Sequence, residues 1–307
     1  MRQKKNPLKN LGSKWEFLKT QHGFRRSPMR TAIRLISWTA RCFIQKAVTV
    51  KLRRWDVRML LPGDWRGLGK FLFVFGENYE PELATLERFL SPGKTFVDAG
   101  ANFGIYTMVA SKLVGEAGRV IAFEPTAESF EVLRRNIALN GLTNVLAVQG
   151  ALSDKAGTAW LHYGTDPVRN SLGKDPSAND GGEYVTTESL DNVLQRADVK
   201  RVDVIKMDVE GAEELVLRGA DKVLTSMRPV IIYEVNAEAS GHLGLSKDGA
   251  TSLLERLGYE FFVDGQTGAS GPAGPSPGYF NVLAIPREMH RSLAPVTNGE
   301  PRGRAAY

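Results

Sequence analysis

A short apolar strand, Thr95–Val97, runs straight into Asp98-Ala-Gly-Ala-Asn-Phe-Gly104, and a helical pattern opens at about Ile105. No other feature of the chain restricts its fold so strongly. Glycines at 100 and 104 let the backbone turn tightly and come close to a ligand, and the helix N-terminus that follows favours a carboxylate or phosphate there. The second strand, Val120–Phe123, ends in Glu124-Pro125. An acidic residue at that edge, about 20 residues after a glycine turn, accepts hydrogen bonds from both hydroxyls of a ribose. A Gly-x-x-x-Gly turn alone is weak, since many only join a strand to a helix. With the acidic second strand it becomes a site for an adenosine-containing cofactor.

The same rhythm continues downstream. Val145–Val148, Val202–Met207 and Val230–Val235 are short, β-branched and apolar, each separated from the next by a helical stretch or a loop. Such alternation predicts an α/β chain with a doubly wound, Rossmann-like sheet whose strands are mainly parallel. A helix over Pro81–Leu90 precedes the first strand. Val48–Leu52 and Val57–Leu61 alternate like a small N-terminal pair of strands, closed by the Pro62-Gly63-Asp64 turn. Gly265–Pro277 is a Gly/Pro/Ser-rich loop, Phe280–Ile285 resumes as a strand, and the tail has no pattern. The expected organisation is an arm and helix over residues 1–47, a main domain over 48–290 and an unstructured tail over 291–307.

Composition narrows the class. Apolar residues make up 42% and charged residues 24% of the 307, which excludes a disordered chain, a fibre and a polytopic membrane protein. Cys42 is the only cysteine, so there is no internal disulfide and no Cys/His cluster for zinc, and a cytoplasmic setting is expected. Neither a signal h-region nor the roughly 20 apolar residues of a membrane span is found. Charge is divided unevenly: residues 1–70 hold 18 Lys/Arg against 3 Asp/Glu, whereas the remaining 237 residues have a net charge of −9. Within the basic part, residues 28–47 read as a helix. Ala32, Ile33, Ile36, Ala40, Phe43, Ile44 and Ala47 follow its period, with Arg30, Arg34, Arg41 and Lys46 off the stripe. The expectation is a helix packing that stripe on the domain with its arginines solvated. The alternative is a helix lying on an anionic membrane, which would put the protein peripherally at that surface.

Details choose the cofactor. The fingerprint G-x-G-x-x-G is absent, because Asn102 stands two residues after Gly100. A residue of that size hinders a pyrophosphate yet suits a methionine carboxylate and amine, and Asp98 welcomes an ammonium group. The reading is S-adenosylmethionine (SAM). No P-loop sequence occurs.

The run Phe96-Val-Asp-Ala-Gly-Ala-Asn-Phe-Gly-Ile-Tyr-Thr107 resembles the cofactor motif of the FkbM-type SAM-dependent methyltransferases. Further stretches match in order: Ala122–Thr126 with Leu133–Asn140, then Ala151–Gly157, then Asp203–Glu213. Phe75–Glu82 resembles the family's opening motif and Pro229–Asn236 its strand-end Glu, so the likeness spans about residues 48–287. It implies a SAM-methyltransferase sheet with one antiparallel strand, methyl transfer to oxygen, and a cofactor site made of Glu80, Asp98, Gly100, Asn102, Gly104, Tyr106, Glu124 and Ala151. It also places Asn170 and Ser171 near the substrate opening.

The third motif has its own chemistry. Asp208 and Glu210 stand at the carboxyl end of an apolar strand, where doubly wound sheets bind ligands, and Glu234 stands at the end of the next. Such carboxylates either bind a divalent cation or take the proton of a substrate hydroxyl; the second is favoured, since no histidine stands beside them. Lys206 can neutralise one of them, Glu213 is left open, and His162 and His242 read as solvated loop residues. The expected activity is SAM-dependent O-methylation of a sugar or polyol hydroxyl. Two alternatives are a nucleic-acid methyltransferase gripping phosphates with the basic arm, which the acidic body disfavours, and a membrane-associated protein without catalysis, which the intact cofactor motifs disfavour.

Overall fold

The computed structural model describes residues 27–63, 67–76, 83–163, 171–173, 181–263 and 279–292. Glu80, Asn170, the 1–26 arm, the 265–277 loop and the tail from 293 lie outside them. The chain opens with helix α1 (Pro28–Phe43), the antiparallel hairpin β1 (Val48–Leu52) and β2 (Val57–Leu61), and helices α2 (Gly67–Phe75) and α3 (Leu83–Phe89). Strand–helix units follow: β3 (Thr95–Ala99), α4 (Ile105–Val114), β4 (Arg119–Glu124), α5 (Ala127–Leu139) and β5 (Val145–Gln149). Four short strands come next: β6 (Ala151–Leu152), β7 (Gly157–His162), β8 (Ser171–Gly173) and β9 (Gly182–Glu188). The rest is α6 (Leu190–Arg196), β10 (Val204–Met207), α7 (Glu213–Arg218), β11 (Val230–Asn236), α8 (Ala237–His242), α9 (Gly249–Arg256), β12 (Tyr259–Val263), β13 (Tyr279–Pro286) and α10 (Arg287–Ser292).

The main sheet has the order β12-β13-β11-β10-β3-β4-β5. Strand β13 pairs antiparallel with both its neighbours, so it alone runs against the other six. The α/β, mostly parallel fold expected from the sequence is the fold found. Strands apolar on both faces need cover on both faces. On one side Phe96, Val120, Val204 and Ile232 pack with α3, α4 and the β1–β2 hairpin; on the other Val97, Ile121, Ile205 and Tyr233 pack with α6, α7 and α9.

Three features differ from the sequence reading. Strand β12 extends the sheet edge, and β6-β9-β7-β8 form a separate four-stranded sheet. His162 is therefore the last residue of β7, paired with Ser171 and Gly182, and His242 ends α8; neither lies in a loop. The third is the orientation of α1. Its buried residues are Thr31, Trp38 and Cys42, while the whole stripe from Ala32 to Ala47 is exposed. The Trp38 ring packs 5.4 Å from Phe73, and the Arg34 guanidinium donates to the carbonyls of Phe73 and Val74 at 3.3 and 3.0 Å, satisfying the end of α2. A tryptophan buries more area than any aliphatic residue, and these arginine bonds favour the same side. The helix therefore docks through the face that periodicity assigned to solvent.

Candidate active site

The pleat gathers the site. Side chains two residues apart on a strand share a face, and register partners on parallel neighbours point the same way. Asp98 is in register with Lys206 on β10 and Ala122 on β4. Glu124 lies two residues beyond Ala122, and Glu234 two beyond Ile232, which is the partner of Lys206. Asp98, Lys206, Glu124 and Glu234 thus occupy one face at the carboxyl ends of four adjacent strands, the side covered by α4 and the hairpin.

The loop between β3 and α4 is held from both sides. The amides of Gly100 and Ala101 donate to the Phe123 carbonyl at 3.0 and 2.8 Å, and the Asp208 amide donates to the Ala99 carbonyl at 3.0 Å. Gly100 has φ +78°, and a Cβ there would meet the Asp208 carbonyl oxygen at 2.0 Å. Asn102 and Gly104 are also left-handed, with φ of +50° and +89°. Glu124 ties the loop to its neighbour: one oxygen accepts from the Asn102 amide at 2.9 Å, the other from the Thr126 amide and hydroxyl at 3.0 and 2.6 Å. Burial pushes its carboxyl above the usual range against those bonds. Asp98 is fully buried and is likewise raised by burial, with Lys206 and Thr107 opposing. Its Oδ2 accepts from the Thr107 hydroxyl at 2.6 Å; its Oδ1, like the Asn102 Oδ1, has no hydrogen-bond partner among the described residues.

Lys206 is the internal counter-ion. It is buried, with its ammonium 3.2 Å from Asp208 and 4.6 Å from the centre of the Tyr106 ring. Beyond it, Glu210 and Gly211 take two successive left-handed conformations, φ +49° and +94°, which turn the chain sharply off β10. A non-glycine residue held there is strained, a cost of about 1–3 kcal/mol that clusters at functional sites. The turn brings Glu210 beside β11, where the Asn236 amide nitrogen donates to it at 3.1 Å. Oxygens of Asp208, Glu210 and Glu234 then lie within 4.8 Å of one another. Three carboxylates can hold a hard divalent cation. Lys206 and Asn236 already supply part of the positive charge and donors such an ion would bring. Glu210 and Glu234 are buried, whereas the Asp208 side chain is 41% exposed.

Residues 98–261 match the sequence profile of the Methyltransferase FkbM domain, more than half of the chain. The chain belongs to the FkbM methyltransferase family. It is 33% identical over 198 residues to methyltransferase sdnD of Sordaria araneosa, covering 55% of this chain and 74% of that protein. It is 28% identical over 157 residues to hexuronic acid methyltransferase AglP of Haloferax volcanii, covering 51% of this chain and 59% of that protein. The solved FkbM methyltransferase of Methylobacillus flagellatus KT overlaps it with a TM-score of 0.42 and 14% identity, over 71% of this chain and 54% of that one, a likeness too loose to carry weight.

In this FkbM methyltransferase, Asp98, Gly100, Asn102, Gly104, Tyr106 and Glu124 stand at the ends of β3 and β4 and the start of α4, and Asp208, Glu210 and Glu234 stand at the ends of β10 and β11. Ala151 opens β6 just after Gly150, whose amide donates to the Glu124 carbonyl at 3.2 Å. Ser171 begins β8 in the separate sheet, opposite His162. The sequence left Glu213 open. It is buried at the start of α7 and accepts from the Gly211 amide at 3.3 Å; burial, with Asp208 nearby, pushes its carboxyl up to about 7. Glu213 is thus a first-turn residue of α7, as Glu214 is, but a buried one. The contact of Lys206 with Tyr106 had no sequence signal, because it arises from strand order.

Proposed function

We propose that this FkbM methyltransferase moves the methyl group of SAM to a hydroxyl oxygen of a carbohydrate or polyol, with residues 48–290 as the catalytic unit. The cofactor assignment is supported by the two buried acceptors, Asp98 Oδ1 and Asn102 Oδ1, for which an amino-acid ammonium group is a fitting donor. Gly100 and Gly104 let the loop pack where a side chain would strike the Asp208 carbonyl and the Leu133 side chain, Glu124 suits the ribose, and Tyr106, Ala151 and Glu80 would complete the site as the family resemblance implies. When bound, SAM supplies an electrophilic methyl on a sulfonium; everything else falls to the chain.

A hydroxyl is a poor nucleophile until a base accepts its proton. The observation that carries the reading is the convergence of Asp208 with Glu210 and Glu234, in which only Asp208 is open enough to meet an incoming hydroxyl. Lys206 beside it holds the carboxylate in place. Buried Glu210 and Glu234 shape the floor of the pocket or bind further hydroxyls, and Asn170 and Ser171 are assigned to the substrate side. The hexuronate-methylating relative supports a sugar acceptor.

Mass spectrometry of products from a panel of hexuronates, neutral sugars and glycolipids tests the acceptor class; methyl found only on nitrogen or carbon overturns it. Asp208→Asn should lower kcat about a hundredfold to ten-thousandfold with calorimetric SAM affinity nearly unchanged. Normal turnover in both Asp208→Asn and Glu210→Gln would remove the cluster from the mechanism. A chelator-induced loss restored by Mg²⁺ or Mn²⁺ would assign it a cation, against the direct-base reading favoured here.

A further inference from the structure

We propose that the outward face of α1 is a docking surface for an anionic lipid bilayer. The helix is fixed to the domain by Trp38, Cys42 and Arg34, and this leaves Met29, Ile33, Ile36, Phe43 and Ile44 exposed at 76%, 61%, 71%, 76% and 68%. Five large apolar side chains at helical spacing on one rigid face form a contiguous patch of the kind that marks an interaction site. No helix among the described residues is long and apolar enough to cross a membrane, so the mode of contact is lying on the surface rather than spanning it.

Charge selects the occupant. Arg30 is exposed on the helix and Lys46 is exposed just past its end, inside a segment, residues 1–70, with 18 Lys/Arg against 3 Asp/Glu. A second copy would bring two such positive surfaces together. Residues 1–26 carry 8 Lys/Arg against one Glu, so folding back over the face would meet the same repulsion. An anionic bilayer matches both properties: the aliphatic stripe enters the boundary between headgroups and acyl chains while the cations meet lipid phosphates. The remainder of the chain, at −9, is repelled by that surface, which makes the helix end the one that docks.

The test is sedimentation of the full-length chain with phosphatidylcholine vesicles, with and without phosphatidylglycerol. At low salt the protein should bind the anionic vesicles and not the neutral ones. The double variant Ile33→Asp/Ile36→Asp, both exposed positions, should reduce the partition coefficient about a hundredfold while circular dichroism and calorimetric SAM affinity stay as in the unmodified chain. Equal partitioning of the double variant would overturn the proposal, leaving charge alone on the arm to hold lipid. Absence of binding to anionic vesicles would overturn it outright. A dimer in light scattering that the double variant disperses would replace the bilayer with a second copy. None of these readouts depends on methyl transfer, so the proposal and the catalytic reading fail separately.

Discussion

Glu124 ties down the loop between β3 and α4 before any ligand arrives. One oxygen fixes the Asn102 amide and the other the Thr126 amide and hydroxyl, while the lone pairs that remain suit ribose hydroxyls. Glu124→Gln keeps the shape but replaces one acceptor with a donor that faces another N–H. SAM affinity should fall by about 2–3 kcal/mol, roughly 30- to 150-fold, by calorimetry; an unchanged affinity would make the carboxylate purely structural. Gly100→Ala should behave differently. The added methyl meets the Asp208 carbonyl, part of the chain's own backbone, at a φ that disfavours side chains. It should therefore lower unfolding stability by about 3 kcal/mol or more, as well as abolish binding; loss of binding with an unchanged melt would show that only the cofactor needs the space. Asp98, Gly100 and Glu124 were legible in the sequence because one stretch of strand, turn, helix and strand carries all three. The pairing of Lys206 with a nearby carboxylate was legible too, but its place beside Asp98 and Tyr106 and the burial of Glu213 were not, since these come from strand register and from a left-handed turn at Glu210 that no local motif announces.

Among the elements, α1 shows where periodicity stops being informative. The spacing of Ile33, Ile36, Phe43 and Ile44 says that they share a face, and nothing in it says which face meets the domain. Trp38 and Arg34 decided that, through a ring contact and two carbonyl bonds that depend on where α2 lies. Trp38→Ala should cost about 3–5 kcal/mol locally and release the helix. Hydrogen exchange across residues 28–43 should rise sharply while β3, β4 and β10 stay protected; uniform protection would mean that other contacts suffice to seat α1. The four-stranded sheet was missed for a related reason. Its strands are two to seven residues long and half exposed, so a run such as Gly182–Glu188 carries little apolar alternation. The buried parallel strands lack that ambiguity, and their observed bounds fall within two residues of those read from the sequence. Strand β12, Tyr-Glu-Phe-Phe-Val after Gly258, carried an aromatic signal that was overlooked.

For the whole molecule the buried carboxyls set a pH dependence. Glu213 rises on folding from 4.5 to about 7, so the folded state binds its proton more tightly than the unfolded state. Stability should then fall as pH climbs through that window, by about 3 kcal/mol in the ligand-free protein, and level off above it. Asp98 and Glu124, also raised by burial, act in the same direction. Glu87 and Glu288 are held below their usual range, first by Arg54 and by Arg228 respectively, so what they add is lost as pH falls below the ordinary carboxyl range. Thermal melts should therefore be highest at about pH 4–5, and Glu213→Gln should flatten the decline between about pH 5 and 7. If that variant keeps the full decline, Asp98 or Glu124 is its source.

Strand β13 lies between β11 and β12 although it is the last strand to be made among the described residues. Until residues 279–286 leave the ribosome, β11 presents an open edge, and Glu234 lacks the neighbour it has in the finished sheet, Asn281. An open strand edge is a template for pairing with other chains. The surroundings of Glu234 are consequently completed only after residues 279–286 have been made. A chain cut short before residue 279 would keep the complete glycine loop, yet it should aggregate through β11 rather than persist as a cofactor-binding fragment.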